Sequence, residues 1–308
     1  MATKEPIKDR PPEEQSARPK VDRSELPTVE AVIKPIHYFM VRPIQWMDRT
    51  SFGPFGGGFS ISPIIEAAIQ YLDGQEVTVP LTDTERFMFN RLKDSPGTRQ
   101  LIDYRGTQFA IQEKVLELYG DDDMGVIWIG AGIVSDRYPL ISNRKPGDIH
   151  VWTDKKLRLV ETAKPMFQEM KDRLSEIAVF QDLMLPDDID TLNKTMHFFE
   201  NIGIKHIIIS LLGVMYAMTP EENYEWLRQL YVPPGTKLSF MLSSVSRTLS
   251  MPGKVSGAID NQPAYHYDKA DVEAIWKRGL GRGSVVHTIP RTENVAWETW
   301  LYHVPASS

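Results

Sequence analysis

The sequence predicts an α/β fold, a largely parallel sheet with helices on both faces, preceded by a helical N-terminal segment. Two observations carry this. From residue 121 onward, short apolar runs alternate with amphipathic stretches, the pattern of a parallel sheet with crossover helices. The last two apolar runs are separated only by the turn-like segment Pro290 to Asn294, which reads as a closing hairpin.

Residues 1–28 are rich in Pro, Glu, Lys, Arg and Asp and have almost nothing to bury, so they read as a disordered tail. Order is expected from about Val32-Ile33, before His37-Tyr38-Phe39. The segment Ser51 to Ser60, SFGPFGGGFS, lacks the spacing of a phosphate loop and reads as a linker or lid. Three helices follow. Ser62-Pro63 opens the first, which stops at Asp73-Gly74. Thr82-Asp83-Thr84-Glu85 starts the second, and the third runs from about Thr98 to Leu118. Residues 29–120 are grouped as an N-terminal helical cap or lid, and residues 121–308 as the α/β domain.

Within that domain, strands are expected at 125–129, 148–152, 177–180, 206–211, 237–242, 284–289 and 295–303. Helices are expected at 155–173, 189–202, 219–231 and 269–279, with a long loop over 243–268.

Composition narrows the function. The 308 residues carry a net charge of −6, which gives no electrostatic footprint for nucleic acid or an anionic membrane. The absence of cysteine excludes disulfides and thiolate metal sites. No apolar run approaches the roughly 20 residues that span a bilayer, and the first residues have no apolar core of a secretory signal. A cytoplasmic protein with no nucleic-acid or membrane partner is the expectation. The chain leaves room for a homodimer.

The strongest local signal is GVIWIGAGIVSDRYPL, an apolar strand running into Gly130-Ala131-Gly132. Glycines there let the chain turn sharply and approach a ligand without a Cβ in the way. The same turn occurs in nicotinamide and flavin enzymes, but those usually show G-x-G-x-x-G. Asp136 stands near the third glycine position and would face a pyrophosphate unfavourably.

With Asp103-Tyr104-Arg105-Gly106-Thr107-Gln108-Phe109 ahead of this loop and Asp182-Leu183 after it, the chain resembles the leucine carboxyl methyltransferase family and related bacterial small-molecule methyltransferases. The run HIIISLLGVMYAMTPEENYEWLRQL is similar to the family's strand, E-G-V-L-x-Y-L-T and helix, with Gly213, Val214, Met215, Tyr216, Thr219, Pro220 and Glu221 in register. The likeness covers roughly residues 98 to 243. Three positions depart from it: Val134-Ser135-Asp136 replaces D-T-R, Leu212 replaces the glutamate before G-V-L, and the acid expected at the end of the second strand is nearest to Asp154.

The resemblance implies a class I methyltransferase, Rossmann-like fold with a seven-stranded sheet and S-adenosylmethionine as cofactor. It places Gly130, Ala131 and Gly132 under the methionine part. Arg105 would pair with the cofactor's carboxylate, where a planar fork suits two oxygens. Asp154 would accept from the ribose hydroxyls, Asp182 from the adenine amino group beside Leu183, and Ser210 and Leu211 would line the pocket. Each has a plainer alternative: Arg105 as a surface helix charge, Asp154 as a helix N-cap before Lys155, Asp182 as a loop carboxylate, Tyr216 as a packed core tyrosine.

Methyl transfer asks mainly for alignment of nucleophile, methyl and sulfur, and for a base only when the acceptor keeps its proton. His266, between Tyr265 and Tyr267, is the candidate base, with Tyr216 beside it in the catalytic set. His37 and His287 are weaker, and His206 reads as structural. No metal site is expected, since Asp121-Asp122-Asp123 reads as a solvated turn remote from the crevice. The aromatic residues Phe39, Trp46, Phe52, Phe55 and Phe59 suit either a substrate wall or cap packing.

The function expected is therefore methyl transfer to a small, apolar or aromatic acceptor. The alternatives are a methyltransferase-like protein with a cyclising or regulatory role, and a nicotinamide oxidoreductase.

Overall fold

The structure is a computed structural model in which residues 61–93, 97–132, 138–154, 176–179, 189–215, 218–245, 265–291 and 297–307 are described. Three helices lead into the sheet: α1 (Ile61–Leu72), α2 (Asp83–Leu92) and α3 (Gly97–Tyr119). Thr82 caps α2 in a reciprocal box with Glu85, each side chain accepting the other residue's backbone N–H, as the sequence signature requires. The 23-residue α3 lies against the sheet, its Ile111 and Val115 buried with Met124, Val126 and Trp128.

The remaining elements alternate. They are β1 (Met124–Trp128), the short α4 (Pro139–Ser142), β2 (Ile149–Thr153), β3 (Glu176–Val179), α5 (Ile189–Asn201), β4 (His206–Leu211), α6 (Pro220–Gln229), β5 (Lys237–Val245), α7 (Lys269–Leu280), β6 (Ser284–Ile289) and β7 (Trp297–Val304). The sheet order is β3-β2-β1-β4-β5-β7-β6 across seven strands. β1 to β5 run parallel, and β7 enters antiparallel between β5 and β6.

The apolar strands separate cleanly by parity. Ile127, Ile129, Ile207, Ile209, Leu211, Phe240 and Leu242 face the side covered by α5, α6 and α7. Trp128, Trp152, Ile208, Met241 and Leu301 face the side covered by α3 and α4. A strand buried on both faces has no solvent side to show, which is why Ile207, Ile208 and Ile209 follow one another in β4. α5 matches the residues read as helical from the sequence almost to the residue, and so does α7. The four-residue α4, begun by Pro139, was not anticipated. The strand expected over 237–242 continues to Val245, because β7 pairs with it as far as Val245↔Trp297. The loop expected from 243 therefore starts later, and its residues 246–264 lie outside the described set, as do the tail, the Gly-rich segment, the cap aromatics with His37, and the helix expected over 155–173. No helix among the described residues is long and apolar enough to cross a membrane.

Candidate functional site

The carboxyl ends of β1, β2, β4 and β5 meet at one edge of the sheet, where open α/β sheets bind ligands. The chain leaving β1 is laced to both neighbours. Ile129 N–H donates to the Ser210 carbonyl at 3.0 Å, and Ala131 N–H to the Thr153 carbonyl at 2.9 Å. Gly132 N–H donates to Asp154 Oδ2 at 3.0 Å. Gly130 and Gly132 both adopt left-handed backbone, φ 59° and 62°, which other residues enter at a cost. A Cβ on Gly130 would overlap Val214 Cγ1, from the turn after β4. The Val214 side chain takes the space that a Cβ on Gly130 would need.

Asp154 follows β2 directly and is 6% exposed. It is therefore the acid at the end of the second strand, one residue beyond where the sequence pattern put it. The helix expected after it, over 155–173, lies outside the described residues. Ser210 is buried at the end of β4 and contributes its carbonyl to the loop. Leu211 is fully buried in the core, and its contribution at this edge is the carbonyl that accepts from Val214 N–H at 3.3 Å.

Arg105 is not a surface charge. It is 3% exposed on α3, with its guanidinium carbon 4.8 Å from the Tyr138 ring centroid. Tyr138 stacks on Trp128 at 5.5 Å and Trp128 on Trp152 at 4.9 Å, so the column runs from Arg105 through Tyr138 and Trp128 of β1 to Trp152 of β2. Arg105 Nη1 donates to Gln108 Oε1 at 3.2 Å, Nη2 lies 3.9 Å from Glu66 Oε2 of α1, and Nε has no hydrogen-bond partner among the described residues. Burial holds the Arg105 pKa below its ordinary value, while the Glu66 carboxylate opposes that shift.

The adjacent Tyr104 reaches the turn after β4. A Cβ on Gly213, φ 80°, would overlap its hydroxyl. Burial pushes the Tyr104 phenol up to about 12. Ser243 Oγ of β5 accepts from Gly213 N–H at 2.9 Å. Glu66, Tyr104, Tyr138 and Ser243 were not singled out in the sequence. The adjacent pair Tyr104-Arg105 and the polar end of β5, Ser243-Ser244, were the available signals.

His266 is partly buried in the segment entering α7. Its neighbour Tyr267 anchors that segment to the same edge: Tyr267 N–H donates to Ser244 Oγ at 3.0 Å, its hydroxyl donates to the Met218 carbonyl, and Asn223 Nδ2 donates to that hydroxyl at 2.9 Å. Tyr216, Asp182, Leu183 and Val134-Ser135-Asp136 lie outside the described residues. His287 is on edge strand β6, away from this group.

The opposite end of the sheet holds a polar cluster. His206 is fully buried, its Nε2 2.9 Å from Ser239 Oγ, which is also 3.0 Å from His303 Nδ1. Asp122 Oδ2 lies 2.8 Å from Lys237 Nζ and 3.5 Å from His206 Nδ1. Asp121 and Asp123 are exposed, as a turn would have them, but Asp122 is engaged because Lys237 begins the strand beside it.

No protein-family model and no curated protein sequence matches the chain. Solved structures do match in fold. A Thermobifida fusca protein classed as a methyltransferase aligns over 83% of this chain and 100% of its own, with a TM-score of 0.59 and 12% identity. A DUF574 family protein from Streptomyces avermitilis aligns over 82% of this chain and 99% of its own, with a TM-score of 0.57 and 13% identity. The fold is that of the class I methyltransferases. The antiparallel β7 between β5 and β6 separates it from dinucleotide-binding sheets of order 3-2-1-4-5-6.

Proposed function

We propose that the chain binds S-adenosylmethionine over the Gly130–Gly132 cradle and transfers its methyl group to a small acceptor of apolar or aromatic character. The observation that carries this is the bond from Gly132 N–H to Asp154, which brings the glycine turn and a buried acid to one edge. The residues fit the group: Gly130 and Gly132 turn the chain through left-handed backbone, and Arg105 has a buried Nε without a hydrogen-bond partner among the described residues.

The cofactor supplies a methyl group already activated by its positive sulfur. The protein's work is to bind and orient. Asp154 would accept from the ribose hydroxyls, Arg105 would hold the carboxylate, and Gly130, Ala131 and Gly132 would lie under the methionine part. Ser210 and Leu211 would close the floor through backbone, and the resemblance gives Asp182 with Leu183 the adenine. His266 takes the acceptor's proton where the acceptor holds one at neutral pH, and Tyr216 shapes the acceptor side. Holding reactants aligned accounts for most of the rate such a site provides.

Calorimetric titration with S-adenosylhomocysteine tests the binding step, and absence of heat at millimolar ligand overturns it. Mass spectrometry across an acceptor panel tests transfer. Cofactor that co-purifies without any methylated product assigns the fold a non-methylating role.

A further inference from the structure

Ile65, Ile69 and Leu72 of α1 pack with Tyr104 of α3 and with Trp297 at the start of β7. The Tyr104 and Trp297 rings lie 4.2 Å apart, tilted by 36°. A phenylalanine would fill this apolar site as well, and a buried hydroxyl costs free energy unless it is used. The Tyr104 hydroxyl is used outside the cluster. It takes the space that a Cβ on Gly213 would need, and Ser243 and Gln108 are its side-chain hydrogen-bond partners.

The turn after β4 is thereby held from three sides. Ser243 Oγ of β5 accepts from Gly213 N–H at 2.9 Å, and the Leu211 carbonyl accepts from Val214 N–H at 3.3 Å. Tyr104 closes on Gly213 from α3, an approach that the missing Cβ permits. The next residue carries the position of this turn to β1, because Val214 Cγ1 fills the space beside Gly130. Gly130 has left-handed backbone, φ 59°, and no side chain of its own to fix it. In a close-packed interior, displacing one neighbour displaces the next. A hydroxyl on α3 thus bears, through Gly213 and Val214, on where the glycine turn after β1 lies.

We propose that Tyr104 is a positioning residue, whose hydroxyl holds the Gly213–Val214 turn against Gly130 and so sets the glycine turn for the cofactor. This rests on the reading of the chain as an S-adenosylmethionine-binding protein. Tyr104 acts through Val214, separately from the role proposed for Arg105.

Tyr104→Phe keeps the ring against Trp297 and removes only the hydroxyl. Calorimetry on the full chain with S-adenosylhomocysteine compares the wild type, Tyr104→Phe, Val214→Ala and the double variant. Tyr104→Phe should weaken affinity by about fivefold or more, and by less than about twofold once residue 214 is alanine. A purely structural role for the hydroxyl would not produce that coupling. Unchanged affinity in Tyr104→Phe overturns the proposal. An equal loss in both backgrounds also overturns it, and routes the effect through Gln108 to Arg105 instead. If Tyr104→Phe does not fold, Ser243→Ala loosens the same turn and is read in the same two backgrounds. If the wild type does not bind S-adenosylhomocysteine, the cofactor reading falls, and the Gly130 amide resonance of the ligand-free protein judges the contact by itself. A shift of that resonance in Tyr104→Phe that vanishes in the Val214→Ala background supports the link from Tyr104 to Gly130, and no shift overturns it.

Discussion

The amide of Gly132 and the carboxylate of Asp154 meet at 3.0 Å although 22 positions separate them in the chain. One carboxylate oxygen thereby fixes the glycine turn against the end of β2. A hydrogen bond to a charged group contributes about 1.5–3 kcal/mol. Asp154→Ala is expected to lower unfolding free energy by about that amount, read by denaturant titration. S-adenosylhomocysteine affinity should fall at least tenfold in calorimetry. Asp154→Asn, which keeps an acceptor oxygen, should lose less stability than affinity. Equal affinity in all three proteins would remove Asp154 from the site.

Gly130→Ala meets two obstacles. The left-handed backbone costs a non-glycine residue about 1–2 kcal/mol, and the new methyl overlaps Val214 Cγ1. Shortening the neighbour in Gly130→Ala/Val214→Ala should recover the steric part and leave the backbone part. A double-mutant cycle by denaturation measures this coupling. Additive losses would show that the overlap is relieved by other movement.

Acid should destabilise the fold through its buried histidines. Burial, with the neighbouring His303 next in effect, holds His206 down to about 4; the Lys237 charge adds to the depression and Asp122 opposes it. Burial, then Lys237, also lowers His303. Ser239 has one hydroxyl proton for both rings, so it donates to one and accepts from the other, and the Tyr119 ring covers both, 4.3 Å from His206 and 5.1 Å from His303. Both imidazoles are therefore neutral in the folded state at neutral pH, and the unfolded chain binds more protons below its ordinary histidine range. Stability is complete above about pH 6.5 and is lost as pH falls toward 4. His206→Asn should make the slope of unfolding free energy between these values shallower by about one proton. An unchanged slope would show that His206 does not titrate on unfolding.

His150 should behave similarly and lower still. Trp128 Nε1 is only a donor, so its 3.2 Å contact requires His150 Nδ1 to accept. Burial, then the Arg144 charge, lowers the ring to about 3. A histidine side-chain NMR titration on the folded protein should find His150 uncharged at pH 5, its proton on Nε2. A ring that titrates near 6.5 would contradict the packing.

His266→Gln should separate binding from chemistry. If His266 removes the acceptor's proton, transfer falls about 100-fold or more, with S-adenosylhomocysteine affinity within twofold. The loss should shrink with acceptors already deprotonated at the assay pH. A uniform loss across acceptors would make His266 a shaping residue.

Much of the fold was legible before any tertiary contact was known, because its signals are local. Strand runs 206–211 and 284–289 stand where they were read: the first is buried on both faces and carries consecutive isoleucines, the second is an edge strand rich in β-branched residues. Thr82 with Glu85 opens α2 because the cap and its partner are three residues apart. Gly130 and Gly132 pointed to a backbone that only glycine enters easily, and both have positive φ. The site was less legible. Arg105 looked as much like a surface charge as a ligand, because burial depends on α1 and Tyr138 rather than on its own neighbours in sequence. Asp122 read as solvent-facing because Lys237 and His206 reach it only once the strands align.

The sequence by itself determined the order of strands and helices, the glycine turn after β1 and the resemblance to methyltransferases, since backbone preference and apolar periodicity act over a few residues. Only the tertiary structure decided that β7 enters between β5 and β6, that Asp154 closes on Gly132, and that Glu66 faces Arg105. Those pairings join residues far apart in the chain. Their energy comes from burial and hydrogen bonds that exist only when the sheet and its covering helices have assembled.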